Sequence, residues 1–221
     1  MRNIKSCFVA GALLIALPAS AQSTKDKLLA VEAGLNDSSS IIRLSTLEEA
    51  LADGSKAVRE YAMNQAFASS DATMRSLAVN HFFRTRKSFA VRIDKSPELV
   101  AEESARESSG ESLKESRDAR YSYLLLSTYG PAANYLISSY DEASGTIQGL
   151  CLTGSSRPDE RYTFVGSVTG DSVTFQHSCN VSGFVDKCSV ELELADDAPE
   201  FVGTMQCDDA QYAAIAKIKL N

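Results

Sequence analysis

Apolar residues change their spacing once along this chain. Between residues 37 and 84 they recur at helical intervals and in register with a sixteen-residue repeat, whereas from about residue 135 they alternate with polar ones. Three segments align without gaps: DSSSIIRLSTLEEALA from Asp37, DGSKAVREYAMNQAFA from Asp53 and SSDATMRSLAVNHFFR from Ser69. The columns Ile42/Val58/Met74, Leu47/Met63/Val79, Ala50/Ala66/Phe82 and Leu51/Phe67/Phe83 are all apolar. Their spacing draws one stripe down an α-helix, and Asp or Ser residues ahead of each run supply N-caps. Each unit therefore predicts one helix of about three turns and a short turn. A fainter copy precedes them, with Lys27, Val31 and Leu35 in the corresponding columns. One amphipathic helix cannot bury its own stripe, so the copies are expected to stack.

A charged column runs through the same alignment. Arg43, Arg59 and Arg75 fall together, each behind an apolar residue and a turn aspartate: Asp37 with Ile42-Arg43, Asp53 with Val58-Arg59, Asp71 with Met74-Arg75. This stretch, roughly residues 24–86, resembles HEAT-type and related α-solenoid repeats. It differs from them in that successive helices are alike, where the family alternates two types. The resemblance implies a stack of helices of a kind that commonly binds other proteins, and implies no activity. The arginine column reads either as an anion- or peptide-binding stripe or as a set of ties to the turn aspartates of neighbouring units; the shared period favours the ties. His81 aligns with Glu49 and Gln65 and is expected to face solvent.

Residues 94–120 break both patterns. They hold eight acidic and five basic residues and few large apolar ones, a composition that cannot bury enough surface to fold alone. An exposed helix or a linker is expected there, with helix-compatible charge spacing from Glu111 into Tyr121. The stretch 94–130 thus reads as a polar connector between a helical domain over 22–93 and a β domain over 131–221.

Seven strands are predicted beyond it, at 135–140, 146–153, 161–168, 172–178, 188–194, 201–207 and 212–220, separated by turn-forming clusters. Val173, Phe175, His177 and Cys179 share one face; Cys188, Val190, Leu192 and Leu194 share another, with Ser189, Glu191 and Glu193 turned outward. Short strands with frequent turns predict an antiparallel meander closed as a barrel or folded as a sandwich. The fold class expected is therefore α+β: a short helical, solenoid-like segment followed by this meander.

The start of the chain bears on compartment. Arg2 and Lys5 precede an uncharged apolar run from Cys7 to Leu17, and Pro18-Ala19-Ser20-Ala21 follows, the three-part form of a secretory signal cut after Ala21. The run is about half of the roughly 20 residues a spanning helix needs, so no membrane span is expected after cleavage. Cys151, Cys179, Cys188 and Cys207 remain, an even number that reads as two disulfides in a periplasmic or secreted protein. Three connectivities are possible. Cys179 with Cys188, across what reads as a hairpin loop, and Cys151 with Cys207 is the expected set. No C-x-x-C occurs, so no metal is expected at these thiols.

Removal of residues 1–21 takes Arg2 and Lys5 away, leaving 20 Lys+Arg against 29 Asp+Glu and a net charge of −9. Such a chain gains little from counterion release, which argues against nucleic acid as a partner. Catalytic and cofactor signatures are missing as well: no G-x-S-x-G, S-x-x-K, H-E-x-x-H, P-loop or dinucleotide fingerprint occurs. No cofactor is expected, and binding is favoured over catalysis. The main expectation is an exported interaction protein whose helices dock a protein partner. The alternative is a lipocalin-like barrel carrying a small apolar ligand, a likeness of architecture alone, since the chain has no Trp and hence no Gly-x-Trp. His177, beside Phe175 on the apolar face, reads either as an imidazole in a ligand cavity or as a core histidine with its hydrogen bonds satisfied, and the core reading is favoured; a cavity lined by Phe164, Phe175, His177 and Met205 would favour the carrier. Gly149, Gly166 and Gly203, inside strands, suit tight barrel curvature.

Overall fold

The computed structural model describes residues 23–110, 132–152, 158–181, 184–196, 198–208 and 212–220. Four helices come first: α1 Thr24–Leu35, α2 Ser40–Ala52, α3 Lys56–Phe67 and α4 Ala72–Thr85. Their starts follow from local chemistry. Ser23 caps α1 through the amide of Asp26, and Asp71 caps α4 through that of Thr73. Asp37 and Asp53 fold the turns ahead of α2 and α3 by accepting from the amides of Ser39 and Ser55.

Each helix packs on the next and on the next but one, so α1 touches α2 and α3, and α2 touches α3 and α4. Most of the residues they bury lie in the aligned columns, with Ala62 and Ala78 buried beside them. Ala50, Ala66 and Phe82 are buried, as are Leu51, Phe67 and Phe83. Leu47 and Val79 are buried and Met63 partly so. Val58 and Met74 are also buried, but Ile42 in the same column is 44% exposed.

Eight antiparallel strands follow as a closed barrel in chain order: β1 Ser88–Asp94, β2 Ala132–Asp141, β3 Thr146–Leu152, β4 Thr163–Thr169, β5 Ser172–Val181, β6 Phe184–Leu194, β7 Glu200–Cys207 and β8 Ala214–Lys219. The seven predicted strands are present with small shifts at their ends, and β1 is the eighth. It corrects the expected boundary near residue 93, because Ser88–Asp94 pairs with β2 and closes on β8, with Arg92 opposite Lys217. The period-two pattern was there to see: Phe89, Val91 and Ile93 are buried while Ser88, Ala90 and Arg92 are exposed. Within the expected connector, Pro97–Ser109 forms helix α5. Ser96 caps it, Pro97 occupies its first turn and Gly110 ends it in the left-handed conformation. Only Leu99 of α5 is fully buried. The helix suggested from Glu111 to Tyr121 lies outside the described residues.

Eight strands enclose a lumen just wide enough for side chains to fill. Here Phe89, Tyr135, Phe164, Phe175 and His177 fill its middle, with ring centroids 5.1–5.8 Å apart among neighbouring pairs. Gly149 makes room for them, because a Cβ at that position would meet the Phe164 ring and the Leu136 carbonyl. One end of the barrel is closed by α4. Phe83 is fully buried and reaches Phe89, Tyr140 and Phe201 on three strands. A shift of register in β2 between Ile137 and Ser139 turns Tyr140 inward, where its hydroxyl donates to Asn80 of α4.

The four cysteines form two disulfides at the opposite end, but not in the expected pairs. Cys151 bonds to Cys179 and Cys188 to Cys207. The strands of the β5–β6 hairpin run past both cysteines, so Cys188 faces His177 and Cys179 faces Asp186. Cys207 lies directly opposite Cys188 on β7. Strand β4 starts only at Thr163, and beyond its start β3 and β5 converge until Cys151 and Cys179 are 5.8 Å apart at Cα.

Non-reducing peptide mapping will return peptides joined 151–179 and 188–207. Removing the second bond as Cys188→Ser with Cys207→Ser will cost about 3 kcal/mol by loop entropy. Phe83→Ala will lower the unfolding free energy in a urea titration by about 3–5 kcal/mol, as for a core aromatic; a loss near zero would mean that α4 does not plug the barrel.

Candidate functional site

Two places gather chemistry-bearing side chains, the lumen around His177 and the junction of α4 with the barrel. Strand alternation sends His177 into the lumen with Val173, Phe175 and Cys179, all buried. Its Nδ1 lies 2.8 Å from the Tyr135 hydroxyl, and its Nε2 is buried without a hydrogen-bond partner. Burial holds its pKa down at about 4, so the ring is neutral at ordinary pH. A neutral imidazole beside a phenol, walled by Phe89, Phe164 and Phe175, has hydrogen bonds to offer. It has no carboxylate or nucleophile beside it in the described structure with which to build a relay. Among the described residues no group of three or more His, Cys, Asp or Glu side chains is placed to hold a metal ion.

On the outer face of the same strands lies a concavity of about 420 Å³, lined among others by Thr163, Val165, Gln176, Ser178, Lys187 and Asp208. His177 borders it only through its backbone, because Gln176 and Ser178 face outward and the ring faces the lumen. The hollow and the imidazole are on opposite sides of the sheet. Of the four residues expected around an apolar ligand, Phe164, Phe175, His177 and Met205 are all buried, and the first three touch through their rings.

The cation column lies apart from both. Lys27 pairs with Asp53 at 2.8 Å and Arg43 with Asp71 at 3.0 Å, each linking a helix to a turn two helices on. The arginines also brace their own turns: Arg43, Arg59 and Arg75 donate to the carbonyls of Asp37, Asp53 and Ser69. The Lys27 ammonium and the Arg43 guanidinium hold the carboxyls of Asp53 and Asp71 below the usual range. Arg75 reaches the barrel instead. Its Nε and Nη2 both donate to Asp171 Oδ2, in the turn between β4 and β5, and this raises the guanidinium pKa further. Asp171 Oδ1 is buried and finds no partner among the described residues.

His81 does not face solvent as its alignment predicts. It is 7% exposed at the α4–barrel junction, with Nδ1 3.3 Å from Arg84, and burial first, then the Arg84 charge, push its pKa down. Glu49 and Gln65, its counterparts, are exposed, whereas α4 packs against β2 and β4 of the barrel. Tyr135 and Asp171 also escaped sequence reading. Only the alternation through Ala133 and Ile137 hinted at the first, and nothing distinguished the second from other turn aspartates.

What these features define is an α+β protein with a helix-capped eight-stranded barrel that carries two disulfides at its other end. Searches against protein-family models, curated proteins and solved structures find no match for the chain.

Stability will rise with pH between about 4 and 6.5. The unfolded His177 binds a proton near 6.5 and the folded one only near 4, so through this window the unfolded state holds more protons. The contribution is fully present above 6.5 and falls by about 3 kcal/mol as pH drops to 4. Urea titrations across this range will show the slope, and His177→Phe will reduce it to the part that His81, also held down by burial, contributes.

Proposed function

We propose that this is an exported, non-catalytic interaction protein in which the helices α1–α4 dock a protein partner and the barrel serves as their rigid base. The observation that carries the reading is the filled lumen. A carrier needs an open interior of a few hundred cubic ångströms for its ligand. Here five rings pack against one another across that space, and Phe83 closes one end. The helical stack then offers the surface for recognition, in keeping with the resemblance of its sequence to HEAT-type repeats. Within this proposal Arg43, Arg59 and Arg75 act as ties that hold the helices in register, and His177 as a buried core residue.

Export belongs to the same proposal. Two disulfides persist in oxidising compartments such as a periplasm or the cell exterior, and residues 1–21 have the form of a cleaved signal. No helix among the described residues is long and apolar enough to cross a membrane.

A native mass spectrum of the protein purified without reductant from its export compartment tests the reading. Expected is a bare chain beginning at Gln22 with two disulfides, and, from gentle extracts, migration in a complex heavier than the chain alone. A mass excess of drug-like size that disappears on unfolding would overturn it in favour of the lipocalin-like carrier.

A further inference from the structure

We infer that the open side of α1 and α2 is a docking edge for an amphipathic helix of a protein partner, which brings a Lys or Arg to Asp37 and apolar side chains to Ile42 and Leu29. This rests on the interaction reading and gives it a location. Inside the stack a rule repeats: the carboxylate ahead of a helix takes a cation from the helix two places earlier. Asp53 takes Lys27, and Asp71 takes Arg43. Asp37 is built like Asp53, with its Oδ1 accepting from the amide two residues on and its carbonyl accepting from the arginine six residues on. Yet it makes no ion pair among the described residues, where no helix precedes α1.

Apolar groups mark the same edge. Val58 and Met74 are 1% and 2% exposed, while Ile42, their counterpart on α2, is 44% exposed. Leu29 on α1 is 53% exposed, whereas Tyr61 and Leu77 in its column are partly buried against the core and the α2 member, Ser45, is exposed. The stack thus ends on an interior-type surface, apolar and carrying one uncompensated carboxylate. Another helix of the same amphipathic kind, with a cation one turn from its apolar stripe, complements both features. An anionic lipid surface would be repelled by Asp37.

The test places the photo-reactive residue p-benzoylphenylalanine at Ile42, and separately at Val165 on the barrel exterior, in the full chain expressed in its native host. Cross-linked peptides are then sequenced. Expected is an adduct from position 42 and none from 165, joined to an amphipathic helical peptide bearing Lys or Arg. Asp37→Asn keeps the turn's acceptor oxygen while removing the charge, and will cut the adduct yield about tenfold, as loss of roughly 1.4 kcal/mol would; Asp37→Glu will retain it. Adducts from 165 alone would sink this edge and move docking from the helices to the barrel; no adduct from 42 in a chain that still migrates in a heavier complex would sink this edge and leave the interaction reading standing. Absence of adducts from both positions, with a bare and uncomplexed chain in the native spectrum, would remove both. An adduct to lipid, to a second copy, or one indifferent to Asp37→Asn would overturn the occupant proposed.

Discussion

The pairing of β1 with β8 is the constraint from which the rest of the architecture follows. It joins Arg92 to Lys217 and turns an open meander into a barrel without edges. Because only Arg86 and Lys87 separate α4 from β1, closing the barrel also fixes where α4 goes. The helix is drawn across the end of the lumen, and Phe83 enters it to meet Phe89, Tyr140 and Phe201. Arg75 then lies within reach of Asp171, and Arg84 within reach of Glu142. Helices and barrel therefore share one continuous core.

The charged residues gain their meaning from that geometry. Ion pairs at partly exposed sites contribute little each, so Lys27–Asp53 and Arg43–Asp71 matter more for register than for stability. They fix which turn meets which helix while the buried Ala50, Ala62, Ala66 and Ala78 allow close approach. Arg75–Asp171 applies the same device across the boundary between helices and sheet, with a barrel turn taking the place of a further helical turn. His177 is the opposite case, an ionisable group that the lumen keeps neutral.

Much of this was legible in the residues, and the losses have physical causes. The helices were plain because stripe, cap and turn recur together, and seven strands because alternation and turn chemistry agree. Strand β1 was hidden because SFAVRID follows a helix of similar hydrophobicity with two residues between, so a change of period had no turn to announce it. The disulfide pairing was unreadable because it depends on register across strands: Cys207 is far from Cys188 in sequence yet opposite it in the sheet, while Cys179 is near in sequence and two residues out of step. His81 was misplaced because the alignment describes helix against helix, and α4 also packs on the barrel. The imidazole of His177 was placed correctly on an apolar face, but which rings would surround it depended on closure.

The location of the two cystines also orders events in time. Cys151–Cys179 and Cys188–Cys207 lie wholly within β3 to β7, whose pairings are local in sequence. The β1–β8 pairing spans more than a hundred residues, and contacts of that separation are slow to form. Oxidation can thus lock a five-stranded sheet before the first and last strands find each other. The barrel then closes around a scaffold that no longer has to search for its own register, and the helices, made first, wait longest for the surface they cover.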